Sequence, residues 1–273
     1  MLQLRTHPQR LRLVPKLRAV VCVAAASLSA TGCTGRTDQG DRSTLSIFAA
    51  SSLTDVLGEL ERVFEKEHID TDLEISFAGS QTLRFQVEQG APADVYVSAN
   101  EEHMSALEDG KLVRTPSVLA MTDLVVIVPA DNPADIDRFD ELDRASSIVI
   151  GTEYVPIGAY TRAVLHNASA RFGAPFVERV RQRVVSMEAN VRIVRAKVEV
   201  GEADAALVYR TDAQASEHVR VIPIPGDINV WARFSIAITT STDQEQKAGR
   251  FLDFLRTPAA RDVFAAFGFV GEM

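Results

Sequence analysis

Short apolar stretches alternate with longer amphipathic stretches along the chain from residue 45 onward. The apolar stretches predict buried strands at 45–50, 73–78, 93–100, 124–129, 147–150 and 205–209. The amphipathic stretches predict helices at 52–66, 80–89, 101–108, 191–200, 244–256 and 258–267. Alternating strands and helices are typical of α/β proteins, in which helices cover both faces of parallel sheets.

Twice, a predicted strand runs directly into a turn that contains serine and opens a helix. Ser51 and Ser52 follow the first strand, and Ser80 follows the second. Each turn places a hydroxyl group beside the unpaired N–H groups of a helix start, where the helix dipole favours an anion. The alternative is that these serines only cap their helices, which serine favours by itself. Ser52 and Asp55 also have the spacing of a capping box.

Two later helix starts repeat this pattern without serine. Pro156 suits the first position of a helix and leaves the N–H groups of Ile157 and Gly158 free. Asn190 is a favourable N-cap, which places the N–H of Val191 in the first turn of the next helix. Four helix starts are therefore available to one anion, although the sequence does not say whether they meet.

The first 32 residues differ in composition from the rest of the chain. A basic stretch ends at Arg18 and is followed by an apolar run, 19–30, that is too short to span a bilayer. These features predict a signal peptide at 1–32. The residues before Cys33 resemble the lipobox of bacterial lipoproteins, so we expect a lipid anchor on Cys33 and a tether over 33–43. The alternative is ordinary signal cleavage that leaves Cys33 as a free thiol.

The charge balance excludes one class of partner. Of the 29 basic residues, five lie in the first 32 positions, which contain no acidic residue. The rest of the chain has 24 basic residues against 37 acidic ones, a net formal charge of −13. Such a surface is a poor match for nucleic acid. An anionic ligand would have to be held by local dipoles and hydrogen bonds in a closed site.

Four short sequences carry a family resemblance. They are FAASSLT at 48–54, GAPADV at 90–95, VPIGAY at 155–160 and LVY at 207–209. In order and spacing they resemble the periplasmic molybdate-binding proteins of ABC importers, and the likeness runs from about residue 44 to residue 269. The resemblance implies a two-lobed α/β periplasmic-binding-protein fold, or Venus flytrap, with two hinge crossings. The ligand that it implies is a tetrahedral oxyanion, molybdate or tungstate.

Carried over position by position, the resemblance implies five ligand-binding residues. Ser52 and Ser80 would donate from their hydroxyl and backbone groups in the first lobe. The backbone N–H groups of Ile157 and Val191 and the phenol of Tyr209 would donate from the second lobe. Ile157 stands where the family often has alanine, a change that a main-chain donor should survive. For Tyr209, the alternative is a core residue at the end of a buried strand with its hydroxyl at the surface.

Two charged residues near these motifs are not assigned to the site. Arg192 follows Val191, but an arginine in the first turn of a helix is usually solvated. Asp94 begins a predicted strand, and we expect it to accept hydrogen bonds from backbone N–H groups.

The resemblance also implies where the lobes divide. Lobe I would comprise residues 44–121 and 235–273, and lobe II residues 122–234. The chain would cross between them at 121–129 and again at 230–240, and these crossings would form the hinge.

The expected function is therefore capture of molybdate or tungstate outside the cytoplasm and delivery to the permease and ATPase subunits of an ABC importer. An alternative is a binding protein for another oxyanion, such as sulfate. An enzyme is not expected, because the five histidines have no metal-ligand spacing and Cys33 has no histidine partner. We expect no cofactor, no direct metal-cation ligand, a monomer, and a location on the outer face of the cell membrane or in the periplasm.

Overall fold

The computed structural model describes residues 43–271, which form an α/β fold. The predicted signal peptide at 1–32 and the predicted lipidation site, Cys33, lie outside the described residues. The first strand begins at Ser43, the residue at which the predicted tether ends.

The strands of the described range lie in one extended sheet. They are β1 (Ser43–Ala50), β2 (Thr71–Ala78), β3 (Val95–Ser98), β4 (Val113–Pro129), β5 (Ile148–Gly151), β6 (Val184–Glu188), β7 (Ala205–Tyr209), β8 (Val219–Pro223) and β9 (Trp231–Thr239). The helices are α1 (Thr54–Glu67), α2 (Ser80–Glu88), α3 (Glu101–Asp109), α4 (Pro156–Phe172), α5 (Ala174–Gln182), α6 (Val191–Glu199), α7 (Arg210–Gln214), α8 (Glu245–Leu255) and α9 (Pro258–Ala266).

The sheet is mixed, and the expectation of parallel sheets is only partly confirmed. Its strand order is β2-β1-β3-β9-β4-β7-β5-β6, and β8 pairs with β4. β1 is parallel to β2 and β3, and β5 is parallel to β6 and β7. Every pairing that involves β4 or β9 is antiparallel. The reason is that these two long strands run in opposite directions through the middle of the sheet, which the local sequence pattern does not reveal.

β4 changes partners halfway along its length and so joins two halves of the molecule. Its residues from Val113 to Asp123 pair with β9. From Leu124 to Pro129 it pairs with β7 and β8 instead. Hereafter lobe I means β1–β3 with α1–α3, α8 and α9, and lobe II means β5–β8 with α4–α7.

The apolar faces predicted for the helices are buried against the sheet and against each other. In α1 the buried residues are Val56, Leu57, Leu60 and Phe64. The Phe64 ring centroid lies 5.3 Å from that of Phe251 in α8, in an edge-to-face contact. This contact joins the last helices of the chain to lobe I.

The predicted helices are confirmed, and most of their ends agree to within about one residue. The exception is α1, which begins at Thr54 because a 3-10 turn over Ser51–Leu53 follows β1. Five helices and strands were not predicted, namely α5, α7, β6, β8 and β9, and the predicted strand at 124–129 is only the second part of β4. β6 alternates half-buried and exposed residues at the edge of the sheet, so it lacks the apolar run that marks the central strands.

Candidate functional site

All five residues predicted to bind a ligand line one cavity between the lobes. The lining residues are Ala50, Ser51, Ser52, Ala78, Gly79, Ser80, Ala99, Val155, Pro156, Ile157, Asn190, Val191 and Tyr209. They come from the ends of β1, β2 and β7 and from the turns or helix starts that follow β1, β2, β3, β5 and β6. The four helix starts that the sequence offered therefore meet at a single place.

Ser52 contributes a hydroxyl that is buried and has no partner in the described part of the chain. It lies in the 3-10 turn after β1, and neither this turn nor α1 has a side-chain cap. The predicted capping box of Ser52 and Asp55 is therefore wrong, because the 3-10 turn moves the start of α1 beyond Ser52. An unpaired buried hydroxyl is costly, so a ligand atom that accepts from it would recover free energy.

Ser80 also has no capping role, since Gly79 precedes it at the N-cap position of α2 and the side chain of Ser80 bonds elsewhere. The N–H of Ala99 donates to Ser80 Oγ at 3.0 Å, and the hydroxyl of Tyr96 donates to the Ser80 carbonyl at 2.9 Å. Because its oxygen already accepts one bond, the hydroxyl proton of Ser80 remains available to a ligand. The alternative in which both serines serve only as N-caps is wrong.

The wall from lobe II offers main-chain donors. Pro156 occupies the first turn of α4 as predicted, and the N–H of Ile157 lies in the same turn, where the helix provides no carbonyl partner. At α6 the predicted N-cap is confirmed, since Asn190 Oδ1 accepts from the N–H of Ile193 at 3.1 Å. That bond uses the N–H of Ile193, so the cap does not occupy the N–H of Val191. Two positive helix ends therefore line this side of the cavity.

Gly158 makes this arrangement possible at the start of α4. A Cβ atom at this position would lie 1.9 Å from the carbonyl oxygen of Thr152 and 2.5 Å from that of Gly151. Only glycine therefore allows the first turn of α4 to pack this closely against the end of β5. The sequence pattern identified Gly158 as a donor position but gave no sign of this close packing.

Tyr209 ends β7 with its side chain 1 % exposed. Its ring packs edge-on against Phe234 and Tyr160, with centroid distances of 5.6 Å and 6.2 Å. The hydroxyl is buried and has no partner among the described residues, so the alternative of a hydroxyl at the surface is wrong. Burial raises the pKa of this phenol well above its ordinary value, which keeps it a neutral hydrogen-bond donor.

The lining of the cavity contains no charged residue. Its polar side chains are hydroxyls and the amide of Asn190, which is engaged as a cap. An anion in this cavity would be held by neutral hydrogen-bond donors and by helix dipoles. Donors that are already oriented in a site of low dielectric constant stabilise negative charge effectively. Among residues 43–271 there is also no cluster of three or more His, Cys, Asp or Glu that could hold a metal ion.

Arg192 does not line the cavity, but it is not simply solvated as predicted. Its Nη1 atom lies 2.8 Å from Oδ2 of Asp55, and this ion pair joins α6 of lobe II to α1 of lobe I. The expectation for Asp94 is confirmed, because its Oδ2 accepts from the N–H of Ser46 at 2.8 Å.

Two further contacts bridge the lobes at the edge of the cavity. Gln81 Nε2 donates to the carbonyl oxygen of Ala189 at 2.8 Å, and His103 Nε2 lies 2.8 Å from the carbonyl oxygen of Tyr154. The lobes approach so closely here that a Cβ atom on Gly79 would lie 2.5 Å from the Ala189 oxygen. These bridges could not be predicted from the sequence, because each joins residues that are distant in the chain and carry no shared local motif.

The part of the chain described by the structure has no helix that is both long and apolar enough to cross a membrane.

Comparison with known proteins agrees with this fold. A family model described as bacterial extracellular solute-binding protein matches residues 45–270. A candidate ABC transporter substrate-binding lipoprotein of Bacillus subtilis, YvgL, is 30% identical over 94% of this chain and 99% of its own length. The molybdate-binding protein ModA of Haemophilus influenzae is 32% identical over 82% of this chain and 89% of its own length.

Solved structures show the same fold. The periplasmic molybdate-binding protein of Azotobacter vinelandii superposes with a TM-score of 0.73 at 21% identity, covering 84% of this chain and 100% of that one. The sulfate-binding protein SubI of Mycobacterium tuberculosis superposes equally well, with a TM-score of 0.73 at 17% identity over 83% of this chain and 86% of that one. These matches confirm the two-lobed periplasmic-binding-protein fold. With a family model spanning nearly all described residues, the chain belongs to the bacterial extracellular solute-binding proteins, a family of binding proteins rather than enzymes.

Proposed function

We propose that this protein binds molybdate or tungstate outside the cytoplasm and delivers it to an ABC importer. The observation that carries the proposal is the cavity between the lobes, which combines an uncharged lining with donors from the turns after β1, β2, β5 and β6 and from the end of β7. Two of those donors, the hydroxyls of Ser52 and Tyr209, are buried and unpaired in the described structure. The relatives named as molybdate-binding proteins support the choice of ligand.

The chemistry of the donors favours a fully deprotonated oxyanion. Such an anion only accepts hydrogen bonds, whereas a protonated anion such as hydrogen phosphate also needs an acceptor. The lining offers no carboxylate to accept that proton. Sulfate has the same charge and shape as molybdate but is smaller, so discrimination against sulfate would depend on the size of the closed cavity.

In this proposal each wall supplies specific donors. Ser52 and Ser80 donate from lobe I, while the N–H groups of Ile157 and Val191 and the phenol of Tyr209 donate from lobe II. A hydrogen bond to a charged group is worth about 1.5–3 kcal/mol. The three side-chain donors alone therefore provide a substantial part of the binding free energy.

The ligand would be delivered to permease and ATPase subunits by a monomeric binding protein held at the outer face of the cell membrane. The lipoprotein name of the Bacillus subtilis relative supports a lipid on Cys33. Mass spectrometry of the mature N-terminus tests this part of the proposal. A diacylglyceryl modification on Cys33 is expected, and an unmodified thiol would contradict it.

We also propose that the lobes divide at 44–121 with 235–273 and at 122–234, with hinges at the two crossings. The change of partner along β4 between Asp123 and Leu124 supports this division. The bridges between Arg192 and Asp55 and between Gln81 and Ala189 would then form as the lobes close.

Thermal unfolding with a panel of oxyanions tests the ligand assignment. A ligand at about 100 times its Kd stabilises the folded state by about 2.7 kcal/mol, which raises the Tm by several degrees. We expect molybdate and tungstate to raise the Tm, and sulfate and phosphate to leave it unchanged at equal ionic strength. Stabilisation by sulfate alone would favour the alternative of a sulfate-binding protein, and stabilisation by none of the four would contradict the oxyanion site.

A further inference from the structure

The structure contains a buried carboxyl group in α7, the short helix that directly follows the cavity residue Tyr209, and the proposed function does not use it. Asp212 lies in α7, three residues after Tyr209, and is 2 % exposed. Both of its carboxyl oxygens are buried and have no hydrogen-bond partner among residues 43–271. An isolated carboxylate is very costly in such a place, so the group is more stable when it holds a proton.

The nearest basic side chain does not pair with this carboxyl group. Arg195 of α6 donates from Nη1 to the main-chain carbonyl oxygen of Asp212 at 2.8 Å. Its Nε lies 2.9 Å from Oε1 of Glu199, one turn further along α6. The positive charge of Arg195 is therefore already shared with another carboxylate.

The other charged groups around α7 are also paired. Arg192 of α6 is bound to Asp55 of α1, and Arg210 at the start of α7 is bound to Asp123 of β4.

Arg220 of β8 pairs with Asp137. The phenol of Tyr209 on β7 is neutral. Burial is accordingly the largest influence on Asp212 and raises its pKa to about 7, against the lowering effects of Arg195 and Arg192 and with a smaller raising effect of Asp55.

We propose that Asp212 takes up a proton when the oxyanion binds, so that affinity falls as pH rises through neutrality. This inference rests on the proposed function, because it requires a doubly charged anion in the cavity lined by Tyr209. Negative charge in the cavity lined by Tyr209 disfavours ionisation of the Asp212 carboxyl group and favours the neutral acid. The bound form therefore has the higher pKa of the two.

The sign of the pH dependence follows from this difference. Below the pKa of the free protein Asp212 is already protonated, so binding takes up no proton. Between the pKa of the free form and that of the bound form, binding takes up as much as one proton. Affinity then falls by up to about tenfold for each pH unit. Above both pKa values Asp212 is ionised in the free and in the bound protein, and the affinity no longer depends on pH.

Calorimetric titration with molybdate, at about pH 7 to 7.5 in two buffers with different heats of ionisation, measures this proton directly. We expect the wild-type protein to take up a substantial fraction of one proton for each anion bound. In Asp212→Asn, which has nearly the same shape, the uptake should fall to about zero and the affinity should lose its dependence on pH. The matched control is Asp253→Asn, which removes an exposed acid from lobe I and should leave the uptake unchanged.

The outcomes separate this inference from the proposed function. If molybdate and tungstate do not bind to the wild-type protein, both are wrong. If they bind without proton uptake, only the role of Asp212 is wrong, and this result does not depend on any variant being folded. Equal uptake in wild type and Asp212→Asn would also overturn it and would assign the proton to another group, such as His103. Loss of proton uptake in Asp212→Asn, with uptake unchanged in Asp253→Asn, supports the role of Asp212.

Discussion

The two walls of the cavity are built from different kinds of donor. Lobe I lines the cavity with the hydroxyls of Ser52 and Ser80, whereas lobe II lines it with the first helical turns that hold Ile157 and Val191 and with one phenol. A side-chain donor can be removed by one substitution, but a main-chain donor can only be moved by changing the backbone. Sequence variation should therefore affect the two walls in different ways, and substitutions can test whether it does.

The largest effect on binding is expected from Gly158→Ala in lobe II. The new Cβ would overlap the carbonyl oxygen of Thr152, so the first turn of α4 must move and carry the N–H of Ile157 with it. Overpacking of this kind costs about 3 kcal/mol, which corresponds to a loss of about 100-fold in affinity if binding must return the displaced turn to its original position. Calorimetric titration measures the loss of affinity, and thermal unfolding measures the loss of stability.

Gly249→Ala in α8 is the matched control, because a Cβ there meets no atom within 4 Å. It should bind normally and be slightly more stable, since alanine favours a helix more than glycine does. Unchanged affinity in Gly158→Ala would contradict the role given to the start of α4.

Ser80→Ala is expected to have the next largest effect, on both binding and stability. It removes a donor to the ligand and leaves the buried N–H of Ala99 without its acceptor. We expect affinity to fall by about 10- to 100-fold and the free energy of unfolding of the ligand-free protein to fall by about 1–3 kcal/mol. Calorimetry and urea unfolding test the two parts, and a variant that loses neither would remove Ser80 from the site.

Ser52→Ala should weaken binding by about tenfold without destabilising the ligand-free protein. Ser52 differs from Ser80 because its hydroxyl has no hydrogen-bond partner in the described structure. Its removal therefore leaves no other buried group without a partner. Tyr209→Phe should behave in the same way for the same reason. Urea unfolding in the absence of ligand is the decisive measurement. If Ser52→Ala lost as much stability as Ser80→Ala, the difference predicted between the two serines would be wrong.

Ile157→Ala should have the smallest effect on affinity, less than about twofold, because the donor is a main-chain N–H that alanine retains. The same change deletes a buried side chain and should lower the free energy of unfolding by about 2–5 kcal/mol. Parallel titration and unfolding experiments separate the two quantities. A large loss of affinity in a folded Ile157→Ala protein would mean that the side chain itself shapes the ligand position.

Local sequence signals predicted those parts of the site that depend on local physics. Pro156 at the start of α4 and the cap formed by Asn190 are set by residues a few positions apart, and both are confirmed. The 3-10 turn at Ser51–Leu53 was missed because serine is equally suited to such a turn and to a helix cap. That single error placed a capping box where the structure has an unpaired hydroxyl.

Contacts between distant residues could not be predicted from the local pattern. The antiparallel courses of β4 and β9, the ion pair of Arg192 with Asp55 and the burial of Asp212 all depend on tertiary packing. Asp212 in particular follows an apolar strand and resembles an ordinary acidic residue in the first turn of a helix. The packing of α7 against α6, β4 and β8 removes it from water.

The most direct test of the central claim is a calorimetric titration of the wild-type protein with molybdate and with sulfate under identical conditions. The claim is that neutral donors from two lobes select a deprotonated oxyanion of a particular size. It predicts one tight site for molybdate and no measurable binding of sulfate. Sulfate binding as tight as that of molybdate, or no binding of either anion, would contradict it.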